Sequence, residues 1–141
     1  MVTGPIQQPT AVLPSAAGDL RALGRAPATG PRWRERLLTD LAPVRRGFTE
    51  HVRVTEGAGG HYADLVRAAP RLDRGVRLLV GEHAAISAAL AALQHAVHLP
   101  GVSAAEVRAR TRDLLRALDR HRRLGADLLW EAYQADLGGE D

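Results

Sequence analysis

The sequence predicts an all-α fold: an antiparallel, four-helix-bundle-like arrangement of three long helices and a short N-terminal helix. Three observations carry this. Apolar residues recur at steps of three and four over three separate stretches, the spacing that turns one helical face toward partner helices. Leucine and alanine dominate the 45% apolar fraction, whereas aromatics are 4% and only Ile6 and Ile86 are isoleucine, a balance that favours helix over sheet. No strand pattern is evident. At 141 residues the chain fits one domain with a real core.

Taken in order, residues 1–32 are rich in Pro, Gly and Ala and read as a flexible tail, with at most a helical turn at 19–23. The helical bundle is expected over 33–137, with 138–141 as a C-terminal tail. Pro43 interrupts the first apolar pattern, so residues 33–42 are expected to form the short N-terminal helix, separated or kinked from the helix after it. The first seam then runs through Leu37, Leu41, Val44, Phe48, His51 and Thr55. Gly57, Gly59 and Gly60 forecast a break, although Thr55, Ala58, Tyr62, Leu65 and Ala69 keep the rhythm as far as Pro70. The second seam is Val76, Leu79, His83, Ile86, Leu90, Leu93 and Val97, on a helix over about 71–98 that ends at Leu99, Pro100 and Gly101. Ser103, with Glu106 three residues on, opens the third helix with a capping box. Val107, Thr111, Leu114, Leu118, His121, Gly125, Leu128, Ala132 and Ala135 form its seam, and Gly138 and Gly139 close it.

One histidine stands in each seam, where a polar ring is seldom used. Three such rings converging inside a bundle suggest a metal site. In an antiparallel pair joined at Pro100, His83 lies about 22 Å from the turn and His121 about 27 Å, within one helical turn of each other. His51 falls short of that level if its helix stops at Glu56 and overshoots it if the helix runs on to Ala69. A kink at the glycines would place it between these limits.

Charge and composition exclude several function classes. All 19 basic residues are arginine, and the formal net charge is only +3. Arg108, Arg110, Arg112, Arg116, Arg120, Arg122 and Arg123 crowd the last helix, but Asp113 and Asp119 are interleaved and no aromatics alternate with them. They read as a solvated face, and nucleic-acid binding is not expected. The chain has no cysteine, which excludes disulfides and thiolate ligands. No run approaches 18 consecutive apolar residues and the N-terminus does not read as a signal peptide, so a cytoplasmic location without membrane association is the expectation. No nucleophile and base arrangement, phosphate loop or paired-carboxylate motif points to an enzyme.

The stretch Gly81-Glu82-His83-Ala84-Ala85-Ile86-Ser87-Ala88-Ala89-Leu90-Ala91-Ala92-Leu93 resembles the EHxxIxxxLxxL helix of hemerythrin-like, or HHE cation-binding, domains. Residues 51–62 and 121–133 resemble that family's HxxxEE helices, and the likeness spans about 35–135. It implies a four-helix bundle holding non-heme iron, often two ions, through histidines and carboxylates, for oxygen binding or for iron or redox sensing. The chain departs from that pattern where the family places a liganding glutamate four residues after each histidine: here stand Thr55 and Gly125. Glu56 is rotated about 140° from His51 and Asp127 about 120° the other way from His121 on a regular helix. No histidine precedes His51 to match the family's first helix.

The candidate metal ligands are therefore His51, His83 and His121, with Glu56 as the best available carboxylate if the helix distorts at Gly57. Such a set suits Fe(II) or Zn(II) and one ion rather than two. His61 reads as a surface residue or substitute ligand, His95 and His98 as structural residues at a helix C-terminus, and Trp130 and Tyr133 as packing or interface residues. The alternative is a metal-free bundle acting as an interaction or regulatory module. Three long helices leave one side of a four-helix arrangement open, so a homodimer is expected unless residues 33–42 cover it.

Overall fold

The computed structural model describes residues 31–138. Its elements are α1 (Trp33–Thr55), α2 (His61–Ala68), a 3₁₀ turn (Pro70–Leu72), α3 (Asp73–His98) and α4 (Ala104–Gly138). No strand occurs among the described residues. The fold is the all-α antiparallel bundle that the seams predict. The expected tail, with its turn at 19–23, lies outside the described residues except for 31 and 32.

The short helix falls elsewhere than expected. Residues 33–42 are not a separate element, because α1 continues through Pro43. Proline cannot donate to the Thr39 carbonyl and crowds it, a local cost of about 3 kcal/mol. The seam on both sides outweighs that cost: Leu37, Leu41, Val44 and Phe48 are all buried in one apolar cluster. The short helix is instead α2, between the first two long helices.

The break at the glycines is sharp. Thr55 ends α1, Gly57 takes a φ of +99°, and the Gly60 N–H donates to the Gly57 carbonyl at 3.2 Å. A β-carbon on Gly60 would stand 2.5 Å from the carbonyl oxygens of both Thr55 and Glu56, so only glycine fits this return of the chain. Pro70 then opens the 3₁₀ turn that leads into α3.

α3 is the middle helix and packs on both α1 and α4, while α2 touches all three. Gly75 approaches Leu128 near one end of the α3 and α4 pair, and His83 meets His121 further along, as antiparallel pairing requires. The Ser103 hydroxyl accepts from the Glu106 N–H at 3.1 Å, capping α4 as its sequence forecasts. Arg34 of α1 reaches across to the other end, donating to the carbonyls of Val97 (2.8 Å), Leu99 (3.2 Å) and Val102 (2.6 Å). It serves the Val97 carbonyl in the last turn of α3 and two carbonyls of the connection that follows.

Two apolar clusters result. The larger joins Leu37, Leu41, Val44 and Phe48 to Ile86, Leu90, Leu93, Val97, Val107, Leu114 and Leu118. The smaller gathers Tyr62, Ala69, Leu72, Val76, Leu79 and Leu128. The three seam histidines lie between them.

The outer faces differ. On α4, Arg110 pairs with Glu106, Arg116 with Asp113 and Arg122 with Asp119 along the helix, the pattern of a solvated face with pairs of little individual worth. On α3, Leu78 is 64% exposed and Gly81, Ala84, Ala85, Ala88, Ala91 and Ala92 are uncovered with it or nearly so. The helical stretch Pro70–His98 contains a window of 18 residues with a mean hydropathy of 1.5 and so is long and apolar enough to cross a membrane by length and composition, although no run of 18 consecutive apolar residues exists.

Candidate metal centre

The seams bring His51 of α1, His83 of α3 and His121 of α4 to one point. Their relative exposures are 5%, 2% and 2%. The Nε2 atoms of His51 and His121 are 3.2 Å apart, and those of His83 and His121 are 3.0 Å apart. One donor atom from each of the three lies within 4.8 Å of the other two, so the three could hold a metal ion. Phe48 closes the side toward the larger cluster, its ring centroid 5.6 to 6.3 Å from all three imidazoles.

His51 reaches this level although its helix ends at Thr55. From the sequence, a helix this short is expected to leave it well below His83, as it would if a tight turn joined α1 to α3. Seventeen residues, 56–72, intervene instead. His83 lies about 15 Å into α3 and His51 only about 6 Å before the end of α1, and the intervening segment, with α2 in it, takes up the difference.

Two carboxylates stand behind the rings. The His83 Nδ1 donates to Glu56 Oε2 at 2.5 Å, and the His121 Nδ1 donates to Glu82 Oε1 at 2.7 Å. Arg120 lies 3.5 Å from the other oxygen of Glu82. The sequence leads one to expect Glu56 beside the histidines as a ligand. The structure places it on the outer nitrogen of His83, because the extended backbone of Glu56 after Thr55 swings it away from the seam face of α1. Glu82 stands outside the seams, so apolar spacing assigns it no part at the centre. Its position next to His83, on the side of α3 toward α4, is the signal that could have found it.

Two further residues complete the surroundings. The buried Tyr62 hydroxyl is 3.3 Å from His83 Nε2, and its ring stacks on that imidazole. Burial pushes the Tyr62 phenol up to about 12; a hydrogen bond with Thr55 opposes this, and the charges of Glu56 and Glu82 add to it. Thr55 itself donates to the His51 carbonyl at 2.7 Å, so its hydroxyl is engaged within the helix. Gly125 is half-buried, and a β-carbon there would meet no atom within 4 Å. His61 is half-buried and His95 and His98 are exposed; none joins the cluster. Trp130 and Tyr133 are exposed and stack on each other.

Donors and acceptors do not balance at the centre. With Glu56 and Glu82 ionised, the rings of His83 and His121 carry their protons on Nδ1, and both Nε2 atoms present lone pairs. Tyr62 can donate to the first and His51 to the second. The 3.0 Å contact between His83 and His121 then sets lone pair against lone pair. A cation relieves that contact, either a proton shared by the rings or a metal ion. Burial holds the His83 imidazole below its ordinary pKa, with help from His121 and against the pull of Glu56. Outer carboxylates that fix a ring and raise its basicity are the usual support of a histidine metal ligand.

Comparison with known proteins finds no family model, no curated protein and no solved structure that matches this chain.

Proposed function

We propose that this chain is a hemerythrin-like, non-heme iron-binding bundle that holds one ion and serves oxygen, redox or iron handling or sensing. The observation that carries the reading is the convergence of three buried Nε2 atoms, two of them on rings fixed from behind by Glu56 and Glu82. One ion rather than two is the consequence of what the seam lacks. A second cation close to the first needs bridging carboxylates to offset the repulsion, and Thr55 and Gly125 supply none. Imidazole and carboxylate surroundings suit iron, and ion positions beyond the protein ligands take water or a small molecule such as dioxygen.

The test is elemental analysis and a visible spectrum of protein purified without a histidine tag. One iron per chain is expected; two irons would mean that the ligands are misassigned. A second reading is favoured by the short His83 to His121 contact, which a shared proton also satisfies: a metal-free regulatory module. Failure to take up Fe(II), Fe(III), Co(II) or Zn(II) would establish that reading in place of the first. In either case we expect a homodimer, formed through the alanine-rich outer face of α3 beyond Arg77, where small side chains let an identical helix approach closely.

A further inference from the structure

Four donors held at about 2.1 Å in a tetrahedron stand about 3.4 Å from one another. The centre presents three contacts near that length. Two are the Nε2 contacts of His121 with His51 (3.2 Å) and with His83 (3.0 Å). The third, at 3.3 Å, runs from His83 Nε2 to the hydroxyl of Tyr62. That hydroxyl is therefore as far from a ligand nitrogen as a fellow ligand would be. Tyr62 is fixed there: it is 8% exposed, its ring lies 5.7 Å from that of His83 at an interplanar angle of 21°, and it comes directly after the tight return at Gly60.

We propose that Tyr62 is the fourth protein ligand of the ion held by His51, His83 and His121, binding as phenolate and making the centre selective for ferric iron. The inference rests on the metal-binding reading above. Charge supports it. The imidazoles are neutral, and of the two carboxylates behind them Glu82 already faces Arg120 at 3.5 Å, so Glu56 and Glu82 alone do not offset a trivalent ion. A phenolate adds one negative charge directly on the ion, which lowers the cost of holding a more highly charged cation inside a protein core. The hard anionic oxygen also favours Fe(III) over Zn(II). On binding, the phenolic O–H bond breaks, its electron pair stays on oxygen and forms the bond to Fe(III), and the proton leaves to solvent water. No electron is transferred.

The chain has only two tyrosines, Tyr62 and Tyr133, and the second is 57% exposed. The experiment is titration of the full-length, untagged protein with ferric nitrilotriacetate, read by visible absorption and by resonance Raman scattering excited in the visible band. We expect one Fe(III) per chain and a phenolate-to-iron charge-transfer band with tyrosine ring modes, both retained in Tyr133→Phe. Tyr62→Phe should lose the band, keep its helical circular dichroism, and bind Fe(III) about a hundredfold more weakly while its Co(II) affinity changes little. Stoichiometric Fe(III) without the band, or a band that survives in Tyr62→Phe, overturns the assignment and leaves the three-histidine site standing. Absence of binding by Fe(III) and Co(II) alike removes the site itself.

Discussion

Each imidazole of the centre uses its two nitrogens differently, the inner one toward the cluster and the outer one, in His83 and His121, toward a carboxylate. Replacing His83 or His121 with leucine should therefore remove metal binding yet leave a folded bundle, since leucine restores the apolar seam. Glu56, a third exposed, can turn to water when its ring is gone. The metal-free stability of His83→Leu should fall by about 1 to 3 kcal/mol, because the buried Tyr62 hydroxyl loses its imidazole acceptor; denaturant titration checks this. The pH dependence has a definite sign. The folded state holds the His83 proton less tightly than the unfolded chain, so protons favour unfolding below about 6.5, and metal-free stability should fall as pH drops through and below that value. At the alkaline end the unfolded phenol ionises near 10 and the folded Tyr62 near 12, so stability should fall again between those values and Tyr62→Phe should flatten that limb. At this scale the three histidines were legible in the sequence because seam position is a local property of a helix. Glu82 and Tyr62 were not, because each acts across a gap between helices whose width no single-helix pattern contains.

Among the elements, α1 carries one avoidable local cost. Pro43→Ala would restore the hydrogen bond to the Thr39 carbonyl and relieve the ring, and should stabilise the protein by about 1 to 3 kcal/mol with the metal site unchanged. Gly60→Ala should do the opposite. Its β-carbon would force apart the return that carries Glu56 and Tyr62 to the centre, costing about 2 kcal/mol or more, and metal affinity should fall along with the melting temperature. The same contrast separates the legible elements from the rest. Apolar spacing gave the three seams residue by residue, from Leu37 to Thr55, Val76 to Val97 and Val107 to Leu128, all buried apart from the half-buried Gly125. It did not tell that the seam would hold a helix together across Pro43, because local preference and tertiary burial oppose each other there and only packing decides between them. The height of His51 escaped for a related reason: it depends on the path of residues 56–72, not on α1.

For the whole molecule the uncovered side of α3 makes the strongest prediction. Burying Leu78 and the alanines beside it against the same surface of a second copy would remove an exposed apolar face of that helix from water. Light scattering at tens of micromolar should give twice the mass of the chain, and Ala88→Arg should return a folded monomer. A parent protein that scatters as a monomer would remove the reason for proposing the dimer.

A heptad seam by itself fixes which side of a helix faces its neighbour but leaves it free to slide. Shifting α3 past α4 by seven residues, about 10 Å, would again set leucine against leucine. The carboxylates forbid this. Glu56, just beyond α1, clasps a ring on α3, and Glu82 on α3 clasps a ring on α4, so each helix is keyed lengthwise to the next and any slip strands a buried imidazole and its acid together. The same clasps that tune the rings thus act as detents along the helix axes, and they set the sliding position of the bundle before any ion arrives.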